Sequence, residues 1–71
     1  MAGLAVHLAE HRKAAGLTQA ELATACGVSR KTINTIENKV FVPSTTLALT
    51  LAHVLDCSVH DLFTLDEQSR I

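Results

Sequence analysis

Tryptophan and tyrosine are absent from this chain, and two phenylalanines supply all of its aromatic content. So little ring area argues against an aromatic-rich sheet and for helices of Ala, Leu, Val and Ile in close contact. One proline and three glycines exclude a low-complexity or disordered chain. Cys26 and Cys57 are too few and too far apart for a metal or redox motif. Both stand where helical periodicity asks for an apolar residue, which points to small buried hydrophobes. No apolar run reaches the ~18 residues of a membrane span. The apolar start MAGLAVHLAEH lacks a basic leader, and His7, Glu10 and His11 interrupt it too early for a signal peptide. The expectation is a soluble cytoplasmic protein, and its 71 residues make one domain near the size where a single core suffices.

A basic excess is missing too, since the formal net charge is −1. The charges are nevertheless segregated. Over residues 1–45, Arg12, Lys13, Arg30, Lys31 and Lys39 outnumber Glu10, Glu21 and Glu37 by two. Over residues 46–71, Asp56, Asp61, Asp66 and Glu67 outnumber Arg70 by three. This distribution permits a modestly basic face and an acidic opposite end.

What the sequence does contain is helix punctuation. A first helix is expected from about Leu4 to Ala15, with Leu4, Leu8 and Ala15 on one side and Gly16 closing it. Thr18 with Glu21 three residues on forms a capping box that opens the second helix, and Cys26-Gly27 ends it. Ser29 caps the third, which runs to Asn38. Pro43 disfavours helix at Val42, and Ser44 caps a fourth from about Thr45 to Leu55, with Leu47, Leu51, Val54 and Leu55 inward. Ser58 with Asp61 opens a short fifth ending near Phe63–Leu65. No stretch alternates at period two for long enough to predict a strand. The expected fold is all-α, a compact five-helix bundle over residues 1–65 with a polar tail over 66–71.

Spacing within residues 19–38 carries the functional expectation. Leu22, Cys26, Val28, Ile33 and Ile36 fall on an inner face, and Ala23 is small where two helices cross closely. Arg30, Lys31, Asn34 and Thr35 must then point outward. Two helices joined by a glycine turn, the second with such a face, form a helix-turn-helix that presents side chains to the DNA major groove. Those four are groove-reading residue types.

The stretch R-x-x-x-GLTQ-x-ELA-x-x-x-GVSR-x-TI-x-x-IEN, followed by PS-x-x-x-AL and VHDLF, resembles the lambda-repressor-like family, also called the xenobiotic-response-element family of bacterial and phage regulators. The resemblance spans residues 8 to 65, and SRKTINTIEN followed by FVPS is similar to its short stand-alone branch. It implies a DNA-binding transcriptional regulator, a repressor acting as a homodimer on a palindromic operator. It implies base reading by Arg30, Lys31 and Thr35, with Asn34 beside them. Phosphate contacts are implied for Gln19 and the adjoining Thr18 with its backbone N–H, for Ser29, and for Asn38 and Lys39. It also implies a partly buried ion pair between Arg12 and Glu37. The implied partner is double-stranded DNA, with no membrane, no cofactor, no metal and no small-molecule effector domain.

Three residues depart from the family pattern. Lys39 stands where relatives commonly have Gly, so either Asn38 takes the left-handed conformation or the loop is altered. Val40 replaces a common Lys or Arg, and His11 a common Leu. With few cations, a shallow salt dependence is expected. The loop Val40-Phe41-Val42 and the acidic end from Val59 to Ile71 are both candidates for a dimer contact. His7, His11, His53 and His60 lack close metal spacing. Ser58, His60 and Asp61 could be drawn as a catalytic triad, but their adjacency is that of a helix cap, and so small a core leaves no shielded pocket. An enzyme is therefore rejected. The alternative is a protein-interaction module such as an antitoxin or antirepressor, for which Phe41 or Phe63 would matter more than Arg30 and Lys31.

Overall fold

The computed structural model describes residues 3–66. In order they form β1 (Gly3–Val6), α1 (Leu8–Ala14), α2 (Gln19–Cys26), α3 (Arg30–Glu37), α4 (Thr45–Val54), α5 (Val59–Leu62) and β2 (Phe63–Asp66). Leu8, Leu22, Ile33, Ile36, Leu51 and Leu62 are completely buried, so every helix contributes to one core. Ala23 and Ala52 fill the close approaches between them, and Leu17, Cys26, Val28, Leu47, Val54 and Leu55 pack around the edge. Burial raises the thiol pKa of Cys26 and of Cys57, as suits packing residues. No helix among the described residues is long and apolar enough to cross a membrane.

The fold is not purely all-α. The expected first helix loses its first turn, and the expected end of the fifth is extended instead. β1 and β2 pair antiparallel, with Gly3 opposite Asp66 and Val6 opposite Phe63. The His7 N–H continues the link to the Leu62 carbonyl at 2.8 Å, and His7 Nε2 meets Thr64 Oγ1 at 3.2 Å. Phe63 is buried while Leu65, two residues on and therefore on the same side of β2, is exposed, so burial along this strand does not follow the two-residue alternation. Four residues show too little of that alternation to be told from helix, and Leu4 also fits the helical spacing to Leu8. Ala15 is exposed, not inward. Asp66, expected in the polar tail, is the last residue of β2, and residues 67–71 lie outside the described part.

Local chemistry explains where the helices begin. Thr18, Ser29, Ser44 and Ser58 each accept a hydrogen bond from the backbone N–H three residues on. The two expected capping boxes, Thr18 with Glu21 and Ser58 with Asp61, are both formed. Ser58 and Asp61 are thereby engaged with each other's backbone N–H groups at 2.9 and 3.2 Å. Helix α1 has no side-chain cap and is instead entered from β1.

The first four helices also end alike. Bonds from Leu17 to Arg12, Val28 to Ala23, Val40 to Thr35 and Cys57 to Ala52 (N–H to carbonyl, 3.1, 3.0, 2.9 and 2.9 Å) each close the same wide terminal loop. Each loop needs one left-handed residue: Gly16, Gly27, Lys39 and Asp56, at φ of 74°, 72°, 63° and 54°. Asn38 is not the left-handed residue, since its φ is −91°. The loop keeps the form that glycine favours and imposes it on Lys39, whose Cβ makes that conformation costly. Replacing Lys39 with Gly is expected to raise stability by about 0.5–1 kcal/mol, measured by urea denaturation, despite the extra chain entropy of glycine. A loss of stability would show that Lys39 is not strained.

Candidate nucleic-acid interface

Helix α3 is amphipathic, with Ile33 and Ile36 completely buried on one side. Burial of those two residues settles what faces outward. Arg30, Lys31 and Asn34 are exposed and together line an open cleft. Thr35, the fourth expected reader, is half-buried, and its hydroxyl donates to the Thr32 carbonyl at 3.0 Å. It lies on a second, more apolar cleft with Lys31, Thr32, Val40 and Phe41. The Asn38 side-chain amide donates to Asn34 Oδ1 at 3.2 Å, a bond across one helical turn.

Arg12 and Glu37 form the expected ion pair, and it holds more than those two residues. Arg12 donates to both Glu37 carboxylate oxygens, from Nε at 2.7 Å and a terminal nitrogen at 3.2 Å. Its remaining terminal nitrogen donates to the Leu17 carbonyl at 2.9 Å. Gln19 Nε2 donates to the same Glu37 oxygen at 2.9 Å. Burial alone would raise the Glu37 pKa, but the hydrogen bonds from Arg12 and Gln19 outweigh it and hold the carboxyl below its ordinary value. The bond to Glu37 likewise raises the Arg12 pKa further. Neither the Leu17 carbonyl nor the Gln19–Glu37 bond could be read from the sequence, because both depend on where α1, α2 and α3 meet.

The expected phosphate-contacting residues are not equally available. The Thr18 backbone N–H is taken by Glu21 Oε1 at 2.9 Å, and Thr18 Oγ1 accepts from the Glu21 N–H at 3.0 Å. The backbone N–H groups of Gln19 and Ala20 then remain as the unsatisfied donors of the first turn of α2. The Gln19 side-chain amide keeps one N–H after serving Glu37. Ser29 Oγ caps α3 through the Thr32 N–H and also meets Thr32 Oγ1 at 3.0 Å. Asn38 and Lys39 are exposed at the end of α3. Val40, Phe41 and Val42 follow with 77%, 47% and 68% of their surface exposed, and the Val40 and Phe41 N–H groups hold the start of this loop to the Thr35 carbonyl at 2.9 and 3.2 Å.

A helix-turn-helix family model matches residues 8–62, the span that carries all five helices. The chain belongs to the helix-turn-helix family. An uncharacterized HTH-type transcriptional regulator of Methanothermobacter thermautotrophicus is 48% identical over 59 residues, covering 82% of this chain and 86% of that protein. Among solved structures, the biofilm regulator SinR of Bacillus subtilis in complex with DNA matches at a TM-score of 0.70 and 33% identity. That match covers 75% of this chain and 86% of the SinR chain in that structure. The P22 c2 repressor bound to a synthetic operator matches at a TM-score of 0.72 and 30% identity, over 75% of this chain and 80% of the chain in that structure. The family is the lambda-repressor-like, xenobiotic-response-element type of transcriptional regulator.

Two outcomes follow for the ion pair in this helix-turn-helix domain. Arg12→Met should cost about 3–5 kcal/mol in urea denaturation, because it leaves the Glu37 carboxylate buried without its partner. Arg12→Met with Glu37→Leu should recover most of that loss. Folding lowers the Glu37 pKa, so its contribution is complete above the ordinary carboxylate value of 4.5 and fades as pH falls below it. The stability of the double variant should therefore fall less steeply in acid than that of the wild type. Equal acid slopes would show that Glu37 is not the titrating group.

Proposed function

We propose that this chain is a sequence-specific DNA-binding transcriptional regulator, a repressor that acts by occupying promoter DNA as a homodimer on a palindromic operator. The observation that carries this reading is the outer face of α3, where Arg30, Lys31 and Asn34 stand exposed on a helix whose opposite side is locked into the core. In this reading α3 enters the major groove, where Arg30, Lys31, Asn34 and Thr35 meet base edges. Gln19 and the start of α2 anchor one phosphate, assisted by Thr18, since a helix N-terminus carries unsatisfied N–H groups and positive potential. Ser29, Asn38 and Lys39 contact the backbone at the two ends of α3. The operator-bound P22 c2 repressor and DNA-bound SinR support the same assignment, because the domains they share with this chain are the ones found on DNA.

One domain reads one half-site, so recognition helices ~34 Å apart in a dimer match two successive major-groove faces. Only a few cations are available, and Arg12 is consumed by Glu37. Affinity then rests more on base contacts and backbone N–H groups than on bulk electrostatics.

Selection of bound sites from randomised duplex DNA should return a two-fold symmetric motif. Arg30→Ala with Lys31→Ala should weaken binding to it by about tenfold or more while changing stability by less than ~0.5 kcal/mol. An absence of any enriched motif at low salt rejects the DNA reading. Retained regulation in that double variant, with loss on changing Phe41, favours a protein-interaction module instead.

A further inference from the structure

The Gln19 side chain makes a bond inside the domain that contact with DNA does not itself require. Its Nε2 donates to Glu37 Oε1 at 2.9 Å. A carboxylate only accepts, so the nitrogen end of the amide must be the end that faces Glu37. Glu37 is itself held in place. Arg12 donates to both of its oxygens, at 2.7 and 3.2 Å, and its side chain is 6% exposed. A long, flexible side chain, half-buried at the first residue of α2, is thereby tied to one arrangement before any partner arrives. One Nε2–H bond is spent on Glu37, and the other is left for an acceptor outside the domain.

Charge decides whether such an arrangement suits an anion. A lone carboxylate beside a phosphate repels it. Here the Arg12 guanidinium lies against the carboxylate and offsets its charge, so Glu37 can orient Gln19 without that penalty. We propose that Glu37 is a positioning residue: through Gln19 it holds an N–H donor ready for one backbone phosphate in each half-site. The inference rests on the reading of Gln19 as a phosphate contact. Ordering a flexible side chain at an interface weakens binding, and in this domain folding has already ordered it. The gain in affinity is about three- to tenfold. It is the same for every operator sequence, because a phosphate carries no base information.

The test uses the full chain, the motif recovered from randomised duplexes, and a methylphosphonate placed at one backbone position at a time to remove that phosphate's charge. In the wild type, one position in each half-site should stand out with a loss of about tenfold or more. Gln19→Ala should shrink that loss by about three- to tenfold. Arg12→Met with Glu37→Leu, which leaves Gln19 in place, should shrink it by nearly the same factor. The preferred bases should stay the same in both variants. A loss at that phosphate that Gln19→Ala shrinks and the double variant does not overturns the role of Glu37 and leaves the phosphate contact standing. A loss that Gln19→Ala does not shrink overturns the phosphate contact and the inference with it. In the free wild-type protein, NMR relaxation should find the Gln19 side-chain amide as ordered as the backbone of α2. A mobile amide there overturns the inference, whatever the stability of the variants. Failure to bind any duplex overturns the DNA reading as a whole.

Discussion

The Glu37 carboxylate is the constraint on which the geometry of this domain depends. It sits at the end of α3, almost out of solvent, and accepts three hydrogen bonds. Two come from Arg12 on α1 and one from Gln19 at the start of α2. Arg12 also holds the Leu17 carbonyl, so the turn between α1 and α2 is tied to the same point. One ion pair thereby sets three helices against each other where the first helix of the motif, α2, begins. A buried pair of this kind contributes little compared with an apolar replacement, because desolvation offsets most of the attraction. Its value lies in direction. Hydrophobic packing of Ile33 and Ile36 tolerates small rotations of α3, whereas a bidentate contact to a carboxylate does not.

Around that point, the helices are delimited by chemistry that acts over three to six residues. Serine and threonine caps start four of the five helices, and the same left-handed loop ends the first four. Two of those loops use glycine and two do not. Asp56 tolerates the conformation better than most residues, since a short polar side chain can satisfy backbone groups nearby. Lys39 has no such compensation. A lysine retained there carries a charge to the end of α3 at some expense in local stability, next to the exposed Val40-Phe41-Val42 loop.

Most of the helical architecture was legible because its signals are local. Thr18 with Glu21, Ser29, Ser44, and Ser58 with Asp61 each mark a start within one turn of chain, and the structure places helices after all of them. The inner face of the motif was legible through the 3.6-residue period of Leu22, Ile33 and Ile36. The two strands were not legible. Their partners lie at opposite ends of the described chain, and four residues carry too few alternations to separate strand from helix. The Arg12–Glu37 pair came from family resemblance, since nothing in local spacing links residues that far apart.

The sequence by itself determined where the helices start, where they turn, and which side of α3 must face outward, because caps, glycines and periodicity act between near neighbours. It determined that Arg30, Lys31 and Asn34 share an exposed face. Tertiary structure alone decided how those groups are presented. It paired β1 with β2, forced Lys39 into a left-handed turn, committed Gln19 to Glu37, and half-buried Thr35 beside Val40 and Phe41. Each of those outcomes is a contact or conformation imposed by the way separate segments meet. Such contacts leave no periodic trace in the chain, and they decide which hydrogen-bonding groups remain available to a partner.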